Sequence, residues 1–482
     1  MAFKYSKIFL GFWICVITVG CEVGKKYQRP DIDLPDNYRK TDSLAFSDTA
    51  DIEKLEWQNI LKDSLLIRLI EDGLERNFDV RNALINIEIA DRELFKSKFL
   101  NLPEVDLNIA EIGRTYRSEN YRSAPNSKWY EGKEPPKNMF LQVGENISAV
   151  TASWEIDFWK KFKNQKESDL ADFLETVEAK RAIENRLINS IAKAYFNLVQ
   201  LNAQIEVAKT NAALSDSTLK MIELQYEAGE ITKLALQQTE AQRLAALSLV
   251  PELEQEIVIQ ENVLQTLTSH YPSEVEISNN LSEIVRQDSL IDIGAPIDLL
   301  RNRPDVRKAE YKLIAANASV NIHKALRYPT LTLGGSFGLN SLLPENWFNI
   351  PGSLFGSFTA GLSAPIFKRR ELKTAYEIAL LEREKSELDL YKSIYESVAE
   401  VSNALVSIEK QKERLNYAER RVENAQSAVY NANLLFRSGY ATYLEVITAQ
   451  SNALQSNLDR IEIQREHYEA IINLYSALGA EW

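Results

Sequence analysis

The chain reads as two copies of one unusual unit. In each copy a pair of short alternating strands is followed by two very long helical stretches, and the second copy runs from Ala325 to the C-terminus. Pro103-Glu-Val-Asp-Leu-Asn-Ile matches Pro329-Thr-Leu-Thr-Leu-Gly-Gly at an offset of 226. Tyr226-Glu-Ala-Gly229-Glu-Ile-Thr232 matches Phe436-Arg-Ser-Gly439-Tyr-Ala-Thr442 at an offset of 210. The first copy therefore holds about 16 extra residues between these points, and the polar stretch Ser118–Gln142 is the natural place for them. A strand pair too small to close alone, doubled and tied to long helices, points to an oligomeric tube and away from an ordinary enzyme core.

The helical stretches carry a heptad. From Ile191 the seam runs Leu198, Ile205, Ala212, Leu219, Tyr226, with a companion seam of Ala194, Leu201, Ala208, Ser215 and Ile222. Adding 210 gives Val401, Ile408, Leu415, Val422, Val429, Phe436 and Ala404, Gln411, Ala418, Ala425, Ala432. Five heptads in one register predict coiled-coil packing. A rod from about Lys166 to Ala228 would be ~90–95 Å long at 1.5 Å per residue. Each rod ends at a glycine, Gly229 or Gly439, suited to a left-handed helix end, and Thr232 and Thr442 are placed to cap the returning helices, about Thr232–Ser269 and Thr442–Leu478.

The strands alternate large apolar with small polar residues. Leu331, Leu333, Phe337 and Leu339 share one face, and Thr330, Thr332, Gly334, Ser336 and Gly338 the other. Leu354–Ile366 repeats the pattern, and Val150, Ala152, Trp154, Ile156 and Phe158 alternate with Ala149, Thr151, Ser153, Glu155 and Asp157. Val105–Tyr116 starts in phase and loses it at Glu111 and Ile112, as at a bulge. This is the period-two signature of a lipid-facing barrel wall, although one face of a soluble β-sandwich alternates alike. Four strands with open edges are not viable in lipid, so the wall must be shared between chains, and three chains would supply twelve strands.

The N-terminus predicts the compartment. Lys4 and Lys7 precede an apolar run from Ile8 to Val19, too short to span a bilayer and right for a secretory signal. It ends Thr18-Val19-Gly20-Cys21, which resembles a bacterial lipobox, so residues 1–20 are expected to be removed and Cys21 lipidated. Without the two lysines of the signal, the formal charge of −13 becomes −15, which argues against nucleic acid as a partner. No later run approaches the length of a membrane-spanning helix, so any crossing must use strands. His270, His323 and His467 are isolated, the mature chain keeps one cysteine, and no phosphate-binding loop or nucleophile elbow appears, so neither an enzyme nor a metal or cofactor beyond the lipid on Cys21 is expected.

These residues resemble the TolC-like outer membrane factor family, in its lipoprotein branch of OprM, NodT and CusC, over nearly the whole mature chain. Cys21-Glu-Val-Gly24-Lys-Lys-Tyr27-Gln-Arg-Pro30 is similar to the branch's Cys-x-Val-Gly-Pro-x-Tyr-x-x-Pro, with Lys25 in place of the usual proline. Trp57, Asp63, Leu66, Leu69, Ile70, Leu74, Asn77 and Asp79 fit its first helices, and Trp154-Glu-Ile-Asp-Phe158 fits the end of its second strand. The most specific run is Leu299-Leu-Arg-Asn-Arg303-Pro304-Asp305-Val306-Arg307, followed by Ala309-Glu310 and Ala316-Asn317-Ala318. Where the family has glycine soon after each strand pair, this chain has Lys160-Lys161 and Lys368-Arg369-Arg370, read here as solvated helix starts or as a headgroup or adaptor contact.

The resemblance implies an α+β membrane protein with two internal repeats: a homotrimer whose four strands per chain form a twelve-stranded β-barrel, continued by a long α-helical coiled-coil periplasmic barrel. The implied division is 1–20 signal peptide, 21–56 lipidated segment, 57–102 first equatorial and periplasmic helices, 103–160 first strand pair, and 161–270 first helical hairpin. Then come 271–297 equatorial linker, 298–328 second-repeat helix, 329–367 second strand pair and 368–482 second hairpin. Such proteins are passive exit ducts in the outer membrane of Gram-negative bacteria, served by a periplasmic adaptor and an inner-membrane pump, most often of the resistance–nodulation–division type. The tips, Gly229, Glu230, Ile231, Thr232 and Gly439, Tyr440, Ala441, Thr442, are the implied adaptor contacts. Six residues beyond Gly439, Glu445 matches the first of two acidic gate positions, while the second is Thr448. A single carboxylate ring there would favour cations; a solvated glutamate stabilised by the helix dipole is the plain alternative. The first tip offers Leu234-Ala235-Leu236, which suits packing. A duct for polypeptides driven by an ATP-binding-cassette exporter, and a non-conducting coiled-coil scaffold lipoprotein, are the competing readings.

Overall fold

The computed structural model describes residues 23–32, 34, 35, 38, 61–117, 141–278 and 302–479. They divide into two compact units. One takes Met1–Gln28, Asp91–Ala171 and Ile314–Lys385, and the other Arg29–Ala90, Asp172–Leu313 and Ser386–Trp482.

The first unit is built on one antiparallel sheet of order β1-β2-β3-β4: β1 Glu104–Arg117, β2 Leu141–Ile156, β3 Thr330–Ser341 and β4 Leu354–Ser363. The repeats therefore meet in the middle, where β2 pairs with β3. The pairing register shifts by one residue between Asn108 and Glu111, which is the bulge that the lost alternation predicts. Part of the extra length of the first copy lies in the strands themselves. β1 and β2 run to 14 and 16 residues against 12 and 10 for β3 and β4. Of Ser118–Gln142, to which the sequence assigns the insertion, residues 118–140 lie outside the described residues.

The helices are α1 Ser64–Arg76, α2 Phe78–Ser97, α3 Lys161–Glu227, α4 Lys233–Leu267, α5 Pro304–Ala325, α6 Glu371–Arg437 and α7 Tyr443–Ala477. α3 and α6 each have 67 residues and α4 and α7 each have 35, so both hairpins repeat at the offset of 210 end to end. At 1.5 Å per residue a 67-residue helix is about 100 Å long. The rod starts at Lys161, five residues earlier than the heptad alone indicates, because the first turn is capped from outside it. The Asp157 carboxylate accepts from the N–H groups of Phe162 and Lys163 at 3.1 and 2.9 Å.

The heptad seam positions are all buried or half-buried, with one exception. Ile191, Leu198, Ile205, Ala212 and Leu219 are buried, but Tyr226, one residue before the rod ends, is exposed. Gln411, the polar member of the second seam, donates to Glu466 at 3.0 Å and so keeps its place. In the second unit the rods gather a core of Leu66, Ile70, Ile188, Ile191, Tyr195, Leu264, Ile472 and Tyr475, and each such side chain contributes about 1.5–3 kcal/mol by leaving water. α1 reaches this core because it carries Gly73, where a Cβ would sit 2.5 Å from the Ile191 side chain. Asp63 caps α1 by accepting from Leu65 N–H at 2.8 Å, and Tyr195 donates its hydroxyl to the same carboxylate at 2.5 Å.

Candidate functional site

The register fixes what each face of the sheet offers. Leu107, Val150, Phe337 and Gly356 lie in one row, and Trp154, Leu333 and Ala360 in another. Together with Val105, Phe358 and Leu362 they form an apolar face that the chain leaves exposed except at the half-buried Leu333. The opposite rows join Asp106, Thr151, Ser336 and Ser357, and Glu104, Ser153, Gly334 and Thr359. Ser336 and Ser357 hydrogen-bond across this polar face at 2.6 Å. Glu104, Asp106, Glu111, Glu145 and Glu155 fall on it, and no lysine or arginine does among the described side chains. β1 and β4 have a strand neighbour on one side only, so each carries a free backbone edge.

Below each strand pair the chain turns into a rod through left-handed residues. Lys160 has φ 59°, and Arg369 and Arg370 have φ 47° and 65°. Each non-glycine residue in this conformation costs about 1–2 kcal/mol. The two basic clusters are thus not plain helix starts: they contain the turn residues. Lys161 also pairs with Glu155 at 2.5 Å.

At the other ends of the rods the two tips are built alike. Gly229 and Gly439 take φ +76° and +77°. Glu230 N–H donates to Gln225 O at 2.9 Å and Tyr440 N–H to Leu435 O at 2.9 Å, the six-to-one bond that closes a helix over a left-handed residue. A Cβ at either glycine would meet nothing within 4 Å, so backbone conformation alone selects glycine there. Thr232 caps α4, accepting from Ala235 N–H at 3.4 Å. Glu445 stands at the third position of α7, exposed, and accepts from the backbone N–H of Thr442 at 2.8 Å and from its hydroxyl. The Thr442 hydroxyl, and then the backbone N–H groups, hold the Glu445 carboxyl below its ordinary value, so it is a firmly ionised carboxylate.

The tips also pack on one another, which the sequence did not reveal. Ile222, Ala432, Phe436 and Val446 form a buried cluster joined by Ile231, Leu236, Ala441 and Tyr443. Gln450 donates to Thr218 at 2.8 Å in its buried flank, and Tyr443 donates to Gln238 at 2.6 Å. Of the candidate contact residues, Gly229, Glu230, Thr232, Gly439, Tyr440 and Thr442 are exposed, whereas Ile231 and Ala441 are half-buried and bind the tips together. In Leu234-Ala235-Leu236, Ala235 and Leu236 pack as expected while Leu234 is exposed. Cys21 lies outside the described residues.

The run around Arg303 has a structural role. Its guanidinium is buried and holds Asp305 at 2.6 Å, Glu400 of α6 at 2.7 Å and the carbonyl of Ala477, the last residue of α7, at 2.9 Å. Burial alone lowers its pKa, but the two carboxylates more than offset this and keep it charged. Arg307, one turn further along the same motif, reaches the buried Glu178 of α3 at 3.0 Å. Among the described residues no group of three or more His, Cys, Asp or Glu is placed to hold a metal.

Comparison with known proteins agrees with this architecture. The chain is 24% identical over 477 residues to the cation efflux system protein CusC of Escherichia coli O6:H1, covering 98% of both chains. It is 29% identical over 428 residues to the pyoverdine export outer membrane protein OpmQ of Pseudomonas putida, covering 88% of both. The open-state crystal structure of the MtrE outer membrane channel of Neisseria gonorrhoeae superposes with a TM-score of 0.81 at 21% identity, over 96% of this chain and 98% of that one. Residues 69–270 and 295–480 match the outer membrane efflux protein family. With both repeats matched almost end to end, this chain belongs to the outer membrane efflux protein family.

Proposed function

We propose that the chain is the passive outer-membrane exit duct of a tripartite efflux system. It receives small molecules from an inner-membrane pump of the resistance–nodulation–division type through a periplasmic adaptor. The observation that carries this reading is the sheet: four strands, two free edges, one exposed apolar face and one polar face. Open edges in lipid leave backbone groups unsatisfied at several kcal/mol each, and closure with two further copies relieves that cost. A twelve-stranded homotrimeric barrel then puts Phe337, Phe358 and Leu362 against lipid and the carboxylate-bearing face around the pore. The helical hairpins continue the duct into the periplasm, a lipid on Cys21 anchors each chain, and the exposed tip residues, with Tyr440 the most prominent, meet the adaptor. Glu445 lines the narrow end as one carboxylate ring.

The test has two arms. Purified protein in planar bilayers should give steady single-channel currents from a trimer, and a monomeric, non-conducting protein returns the scaffold reading. In cells, a photocrosslinker at Tyr440 should capture the adaptor of a resistance–nodulation–division pump, whereas capture of a secretion-type adaptor moves the function to polypeptide export.

A further inference from the structure

The first described residues of the chain are held by a site that the function above does not use. Lys25 offers only its backbone: its N–H donates to Asn321 Oδ1 at 3.2 Å, and its carbonyl accepts from Asn321 Nδ2 at 3.1 Å and from Asn317 Nδ2 at 3.2 Å. Asn321 thus pairs amide to amide with the peptide. Asn321 Nδ2 also donates to Asn164 Oδ1 at 3.3 Å, and Asn164 donates in turn to the carbonyl of the left-handed Lys160 at 2.6 Å. Asn164, Asn317 and Asn321 are all buried, while the side chains of Lys25 and Lys26 are exposed. Gly24 is the other half of the fit, because a Cβ there would lie 2.3 Å from the Asn321 amide. Burying three asparagines is costly unless each is hydrogen-bonded; the peptide at Lys25 supplies partners to Asn317 and Asn321, and Asn164, bonded to Asn321 and to Lys160, holds the Asn321 amide in place.

We propose that Asn164, Asn317 and Asn321 form a recognition site for the peptide backbone at Gly24-Lys25, and that this clamp fixes where the N-terminal strap leaves the protein. The site reads backbone, so it is indifferent to the lysine side chain but not to its N–H. A proline at position 25 would lose the bond to Asn321 Oδ1. The clamp sits close in sequence to both strand pairs, eight residues after β2 at Asn164 and nine before β3 at Asn321. Four residues of chain reach at most about 14 Å, so the point where a group is attached at Cys21 is tethered within roughly that distance of the clamp. A consequence for membrane attachment rests on the proposed lipidation: the clamp makes the anchor and the base of the sheet share one depth.

The test uses the full chain in detergent, with trypsin cleavage at Lys25–Lys26 and Lys26–Tyr27 and hydrogen exchange of the peptide spanning 23–32 as readouts. The native strap should resist both. Asn321→Ala should speed cleavage about tenfold, the range that follows from losing a buried hydrogen-bonded pair, with the exchange of the heptad core unchanged. Asn321→Asp, which keeps the acceptor for the Lys25 N–H and loses the donors, should fall between. Lys25→Pro leaves every buried asparagine in place and so keeps the helices intact; it should still raise cleavage at Lys26–Tyr27 several-fold. Equal cleavage of the native and Asn321→Ala straps, or no effect of Lys25→Pro, overturns the clamp. Channel conductance is a separate readout: a non-conducting native protein with a protected strap refutes the duct and leaves the clamp standing.

Discussion

Removing the Arg303 guanidinium is the sharpest test of how the second unit is held. Arg303 ties three helices: α5 through Asp305, α6 through Glu400, and the carbonyl end of α7 through Ala477. A hydrogen bond to a charged group contributes about 1.5–3 kcal/mol when shielded from water. Here only the Arg303 side chain, at 8% exposure, is shielded; those of Asp305 and Glu400 are 42% and 56% exposed. The two ion pairs therefore count closer to surface pairs, about 1 kcal/mol or less each. The bond to the Ala477 carbonyl counts near the full value, since its loss leaves a buried acceptor unpaired. Arg303→Ala should thus cost about 2–4 kcal/mol. Arg303→Lys should recover no more than about half, because one ammonium does not span three partners in the geometry of a planar fork. Guanidinium unfolding followed by tryptophan fluorescence measures this as a shift of midpoint at constant slope. A loss under about 0.5 kcal/mol for Arg303→Ala, or an Arg303→Met protein as stable as the native one, would refute the reasoning, since apolar volume would then suffice.

Four further outcomes follow from the same geometry. Gly439→Val should destabilise the second tip by about 1–2 kcal/mol through φ alone, visible as faster amide exchange at Ser438–Thr442, because nothing stands near its missing Cβ. Lys160→Gly should stabilise by about 0.5–1 kcal/mol, the relief of a left-handed lysine less the added chain entropy of glycine, read as a raised unfolding midpoint. Glu445 has a folded-state pKa below its ordinary 4.5, so its contribution to the α7 cap is present above that value and is lost as pH falls through the lower folded-state value; exchange at Thr442 should quicken over that acidic window, and Glu445→Gln should abolish the pH dependence. Replacing Glu104 and Asp106 by Gln and Asn removes two of the five carboxylates on the polar face and should lower the preference of the channel for cations, measured as a reversal potential moving toward zero in a salt gradient.

Much of the architecture was legible because the signals that carry it are local. The heptad from Ile191, its copy at Val401 and the glycines at 229 and 439 are decided by neighbours within one or two helical turns, and the structure keeps every one of those seam positions buried or half-buried except Tyr226. The bulge before Glu111 was legible for the same reason, since a lost alternation can only be a change of phase. The requirement for left-handed turns at Lys160, Arg369 and Arg370 was hidden, because lysine and arginine carry no sign of a positive φ and only the path from strand to rod imposes it. Arg303 stood out as a motif without a reason, since its partners Glu400 and Ala477 lie about 100 and 175 residues away.

By itself, then, the sequence determined the repeat, the heptad rods, the alternating strands and the closing glycines, all set by short-range periodicity and steric preference. Only the tertiary structure decided that β2 pairs with β3, that the two tips share the Ile222–Val446 cluster, and that Asn321 reads the backbone of Lys25. Each of these joins residues far apart in the chain, and such a contact is selected by shape, register and the satisfaction of buried polar groups, none of which a one-dimensional pattern contains.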